Sequence, residues 1–109
     1  MSHRFHATHA CLLTSLIGLA GAAQASEALA KKAGCIACHA VDKKIVGPSY
    51  KDVAAKYRSQ PGAAALVAAR VRKGSQGVWG PLPMPATDAA RLSDAELKAL
   101  TAWVLKGGA

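Results

Sequence analysis

Cys35-Ile36-Ala37-Cys38-His39 brings two thiols and an imidazole into five consecutive positions. Thiols at that spacing on a helical turn can close a disulfide, exchange disulfides, help bind a metal, or form thioethers to the two vinyl groups along one side of a porphyrin. In the last case the adjacent His39 is directed at the iron, and C-x-x-C-H is the attachment pattern of c-type haem. A thioredoxin-like pair belongs in a βαβ setting, and no stretch of this chain alternates as a strand does. A simple disulfide leaves His39 without a role. A structural zinc site usually takes four Cys or His ligands, and the part of the chain that remains after its leader supplies three. The motif therefore points to one covalently attached haem c, held through Cys35 and Cys38, with His39 on the iron.

The leader itself is legible. Arg4 lies in a short positive start, an apolar stretch runs from Leu12 to Ala20, and Ala23-Gln24-Ala25 has the Ala-x-Ala form of a signal-peptidase site. A membrane anchor needs roughly 18 or more apolar residues, and the stretch is shorter. A lipoprotein signal places its acylated cysteine after the apolar core, whereas Cys11 precedes it. Residues 1–25 are read as a secretion signal and residues 26–109 as the mature domain, which implies a periplasmic location. His3, His6, His9, Cys11 and Met1 all depart with the leader.

Elimination then selects a second axial ligand. His39 is the only histidine and Met84 the only methionine in residues 26–109, so a bis-histidine iron cannot be built from the mature domain. Met84 stands in Gly80-Pro81-Leu82-Pro83-Met84-Pro85. Proline fixes φ and biases its neighbour towards extended backbone, so this loop presents a side chain at low entropic cost. Most methionines merely fill core gaps, but one held between prolines beside an unfilled haem face is the better ligand. His/Met ligation raises the reduction potential and closes the iron to substrates, which favours electron transfer over catalysis.

The elements that must position these residues are helical. The chain of 109 residues makes one domain, and its 51% apolar content overstates the core because 25 residues are alanine. Such a composition excludes a disordered chain and a disulfide scaffold. In residues 26–109 there are 21 larger apolar side chains, few enough that a non-protein group at the centre is expected. Ser26 is a candidate helix cap, with Leu29 and Ala33 on one face. Gly47-Pro48 places proline at a first helical position for a segment ending near Tyr57. Pro61 opens 62–73 in the same way, with Ala63, Val67 and Val71 at helical spacing. Ser93-Asp94-Ala95-Glu96 is a capping box, and Leu97, Leu100 and Val104 form an inward stripe. Between Gly74 and Thr87, three glycines (Gly74, Gly77, Gly80) and three prolines (Pro81, Pro83, Pro85) deny a helix. The expectation is a small all-α domain of about four helices with one rigid, irregular loop.

These stretches resemble the small bacterial class I cytochromes c of the c-551/c-552 type. Agreement covers essentially all of 26–106: Gly34–His39, Val46–Tyr57, Gly74–Pro85 and Ala102–Leu105. The resemblance implies the cytochrome c fold of about four helices wrapped around one haem. It also implies thioethers at Cys35 and Cys38 and axial ligands His39 and Met84. Pro48 is implied to orient the imidazole through its carbonyl region, and Arg70 and Trp79 to bond a buried haem propionate. Guanidinium and indole N–H are donors suited to a carboxylate. Two departures stand out. The pattern commonly continues from the methionine as Pro-Pro-Asn, where this chain has Pro85-Ala86-Thr87, and the link 88–92 is a few residues longer.

The chain carries 14 Lys and Arg against 6 Asp and Glu. Lys31, Lys32, Lys43 and Lys44 flank the C-x-x-C-H motif, where they either steer acidic redox partners or simply keep the surface soluble. An exported chain with no base-reading element is not a nucleic-acid binder, and it carries no membrane span. The reading is a soluble, monomeric periplasmic electron carrier rather than an enzyme. A haem subunit of a larger periplasmic oxidoreductase complex is the alternative, and a gas sensor is disfavoured by Met84.

Overall fold

The computed structural model describes residues 18–109, so Arg4, Cys11 and most of the leader's apolar stretch lie outside the described residues. Four α-helices follow one another: α1 (Gly18–Lys32), α2 (Tyr50–Tyr57), α3 (Ala63–Lys73) and α4 (Asp94–Leu105), with a single 3₁₀ turn at Cys35–Ala37. The described residues contain no extended strand, only two isolated bridges, so the all-α expectation holds. None of the described helices is long and apolar enough to cross a membrane.

Helix α4 is the centre, packed against by the other three. Ser93 Oγ accepts from Glu96 N and Glu96 Oε1 accepts from Ser93 N, the reciprocal capping box read from the sequence. From there Leu97, Leu100, Thr101, Trp103 and Val104 are buried. Helix α1 lies on α4 through small residues: Ala30 and Ala33 are buried, and Ala23 packs at the edge of the same core. Short side chains at helical spacing let two helices approach closely, and a clasp of Lys32 Nζ to Glu96 at 2.9 Å joins them at the surface.

Three expected helix starts move. Ser26 is buried within α1, its Oγ 3.5 Å from Ala99 O, because the helix runs unbroken through Ala23-Gln24-Ala25; it is not a cap. Pro48 is not the first helical residue of α2. Ser49 caps that helix by accepting from Asp52 N at 3.0 Å, and the helix opens at Tyr50. Helix α3 begins one residue later than Gly62, which sits left-handed at φ 73 as its cap.

The long link 88–92 is built, not slack. Leu92 is fully buried, Leu92 N donates to Asp88 O, and Arg91 N donates to Asp88 Oδ1. Arg72 on α3 spans the gap. Its Nη1 donates to Thr87 O (3.1 Å) and Leu92 O (2.8 Å), while Nη2 pairs with Asp94.

Candidate functional site

Gly34, left-handed at φ 79, ends the run of α1 and starts the 3₁₀ turn. Cys38 N and His39 N both donate to Cys35 O, at 3.1 and 2.9 Å, so the two thiols and the imidazole project from one tight turn. Both cysteines are free and half-buried. Burial pushes the Cys35 thiol above its ordinary value. Exchange chemistry needs the opposite, a stabilised thiolate. Among the described residues no group of three His, Cys, Asp or Glu side chains is arranged to hold a metal ion. The disulfide, exchange and zinc alternatives thus find no support.

The His39 ring is fixed on several sides. With its proton on Nδ1, that nitrogen donates to Pro48 O at 2.7 Å, which leaves the Nε2 lone pair for a metal. Gly47 allows the ring to come close: a Cβ there would stand 2.6 Å from His39 Cε1. Gly47 N donates to Cys38 O, tying the loop back to the turn. Tyr50 stacks on the imidazole at 5.8 Å and 25° between planes. Burial pushes the Tyr50 phenol up to about 12, and its hydroxyl has no hydrogen-bond partner. Pro48 was read from the sequence; Gly47 and Tyr50 were not. Gly47 enters the sequence reading only as the residue before a helix start, and aromatic stacking leaves no local signal for Tyr50.

Met84 is held from a distance. Ser75 N donates to Met84 O (3.0 Å) and Met84 N to Ser75 O (2.8 Å). Gly74 makes that approach possible at φ 74, and a Cβ there would lie 2.6 Å from Met84 O. Thr87 N donates to Val71 O, and Arg72 holds Thr87 O as described. These anchors supplement the prolines, and the sequence reading missed Gly74 and Arg72 as parts of the site.

One cavity of about 440 Å³ collects the residues selected from the sequence: Cys35, Cys38, His39, Pro48, Arg70, Trp79 and Met84 all line it. Its volume falls in the range of about 300–1,000 Å³ typical of cofactor sites. Val53, Val67, Val71, Leu100 and Val104 give it an apolar wall. At its polar edge Arg70 Nε is buried without a partner, an orphan donor that calls for an acceptor such as a carboxylate. Trp79, 39% exposed, meets the Tyr57 ring edge-on at 6.3 Å, with Lys56 Nζ 4.5 Å above its face. A flat apolar group with an acidic edge fits this chamber, and a haem with its propionates is such a group.

An all-α domain folded around an apolar chamber, with C-x-x-C-H on its wall, defines a haem protein of the cytochrome type. The cytochrome c family model matches residues 23–107, and the chain belongs to that family. It is 55% identical over 83 residues to cytochrome c-551 of Pseudomonas aeruginosa, covering 76% of this chain and 77% of that protein. Cytochrome c-552 of Nitrosomonas europaea is 50% identical over 91 residues, covering 84% and 86%. The crystal structure of the wild-type Nitrosomonas europaea cytochrome c552 superposes with a TM-score of 0.68 at 49% identity, over 74% of this chain and 98% of that one. The chain is thus a small class I cytochrome c, an electron carrier with covalently bound c-type haem rather than an enzyme.

Proposed function

We propose that the chain is a soluble, monomeric, periplasmic carrier of single electrons, with one haem attached by thioethers at Cys35 and Cys38 and ligated axially by His39 and Met84. When bound, the haem supplies an iron that alternates between ferric and ferrous. The observation carrying this reading is the single cavity that all seven sequence-selected residues line. Pro48 O keeps the proton on His39 Nδ1 and so keeps Nε2 available. The bridge to Ser75 holds the Met84 backbone at the cavity wall. Arg70 and Trp79 supply donors to a propionate, and the apolar wall excludes water. The apolar stretch Leu12–Ala20 followed by Ala23-Gln24-Ala25 supports export.

Partners are redox proteins, and the cavity mouth is the docking face in this reading. Ile45, Val46 and Leu82 are exposed around it, and Lys44 lines it beside Lys43. Lys31 and Lys32 serve docking less well, because they pair with Glu27 and Glu96. Among the described residues Lys43 and Lys44 make no ion pair, so of the four lysines flanking the motif these two are left to meet an acidic partner.

The axial assignment is tested by Met84→Ala. The variant is expected to have a lower midpoint potential, to bind imidazole or cyanide rapidly in the ferric state, and to lack the weak near-infrared band of sulfur ligation. A wild-type protein without that band refutes the assignment.

A further inference from the structure

A hydrogen bond at one nitrogen fixes a point on an imidazole but not its plane. The terminal torsion of histidine is broad, so with His39 Nδ1 tied to Pro48 O the ring can still rock about that contact. Gly47 packs closely against the ring, and Tyr50 limits the freedom that remains. Its ring lies within 25° of parallel to the imidazole, and Tyr50 N donates to Ala40 O at 2.9 Å, joining the start of α2 to the residue after His39.

Tyr50 is itself immobilised. The Trp103 ring packs on it at 4.9 Å and 59°. Behind it the chain turns through Gly107 and Gly108, where Gly107 N donates to Val104 O and Gly108 N to Trp103 O. Gly108 lies so close that a Cβ there would meet Tyr50 Cδ2 at 3.2 Å, at a left-handed φ of 78. The hydroxyl of Tyr50 makes no hydrogen bond to the protein, so this packing does not depend on it.

We propose that Tyr50, wedged between Trp103 and the Gly107–Gly108 turn, is a positioning residue that sets the plane of the His39 imidazole. It acts through the ring and not the hydroxyl. A conformationally locked ligand need not rearrange when the electron arrives, and groups behind a ligand commonly tune it in this way. The inference rests on His39 being an axial ligand, as proposed above.

The experiment is NMR of the ferric holoprotein with selectively 15N-labelled histidine, recording the hyperfine-shifted imidazole signals and the order of the haem methyl resonances. Both depend on the ligand plane. Tyr50→Phe is expected to reproduce the wild-type pattern, and Tyr50→Leu to change the methyl order and displace the His39 signals. Gly108→Val, in the turn after α4, is expected to displace them in the same direction by less. If the wild type shows no hyperfine-shifted histidine, the ligand reading falls and this inference with it. If that signal is present but Tyr50→Leu and Gly108→Val lower only the melting temperature and leave the pattern intact, Tyr50 is merely structural and the inference is overturned.

Discussion

The two sides of the cavity solve the same problem by opposite means. On the His39 side the chain fixes a side chain: Pro48 O, Gly47 and Tyr50 each touch the imidazole ring. On the Met84 side it fixes a backbone: Ser75 holds both polar groups of Met84, and Gly74 makes room for its carbonyl. Each side uses a glycine for close approach, Gly47 for a ring and Gly74 for a peptide. The first set is nearly local, within about one turn and loop of the motif. The second reaches across from α3. An imidazole pinned by its own contacts is rigid, whereas a thioether with three rotatable bonds on a fixed backbone is only packed. The methionine side is therefore the one that yields first under stress.

The largest expected effect comes from removing attachment on the histidine side. Replacing Cys35 and Cys38 together with alanine should abolish covalent haem and leave the helices loosely packed, because the cavity of about 440 Å³ borders Val67, Val71, Leu100 and Val104. Circular dichroism melts check this. A double variant with full helicity and a cooperative transition means that the protein core alone holds the fold.

Gly74→Ala breaks the methionine side with a single methyl group. Gly74 has φ 74 and ψ 177, a region open essentially only to glycine, and occupying it costs another residue on the order of 1–3 kcal/mol. The new Cβ also meets Met84 O, so the expected outcome is faster binding of exogenous imidazole by the ferric protein, with thioether attachment intact. An unchanged ligand-binding rate would make the two sides equally rigid and remove the contrast drawn above.

That contrast also explains what was readable in the sequence. Cys35, Cys38, His39 and Met84 declare themselves by type and spacing, and Pro48, Arg70 and Trp79 by family resemblance; all seven line one cavity. The capping box at Ser93 is a local pattern and appears where expected. Ser26 misled because a serine before an apolar run reads as a cap unless the upstream chain is also helical. Pro48 misled as a first helical residue because Ser49, one residue on, caps the helix and moves its start to Tyr50. Gly74 looked like a helix terminator, and it is one, but its second task depends on Met84 ten residues away. Arg72 carries no signal in the sequence, since only the folded link 88–92 brings Thr87 O and Leu92 O to it. Side chains that act on distant backbone leave no periodic trace.

A smaller effect is expected at the rim, where the histidine-side loop meets solvent. Lys43→Glu with Lys44→Glu should slow electron transfer to an acidic partner by about tenfold at low salt, with the spectrum unchanged. Reversing Lys31 and Lys32 should do less to that rate, since both already face carboxylates. Stopped-flow rates across ionic strength are the measurement, because screening shortens from roughly 30 Å at 0.01 M to about 8 Å at 0.15 M. A wild-type rate indifferent to salt would assign docking to the apolar rim of Ile45, Val46 and Leu82 instead.

The smallest effect lies outside both sides, at the clasp between α1 and α4. The Lys32 ammonium, 2.9 Å away, and the Ser93 N–H hold the Glu96 carboxyl down from its ordinary 4.5 to about 2. A carboxylate depressed by folding stabilises the native state above its unfolded pKa, and that contribution drains away as pH falls through the folded value. The window is therefore pH 4.5 down to 2. Glu96→Gln keeps an oxygen for Ser93 N, so the capping box survives while the charge is lost. The variant should melt below the wild type at pH 6, and the gap should close as pH approaches 2. Attachment and axial ligation should stay untouched at pH 6, since Glu96 does not line the cavity. A gap independent of pH would mean that the clasp acts through geometry and not through charge.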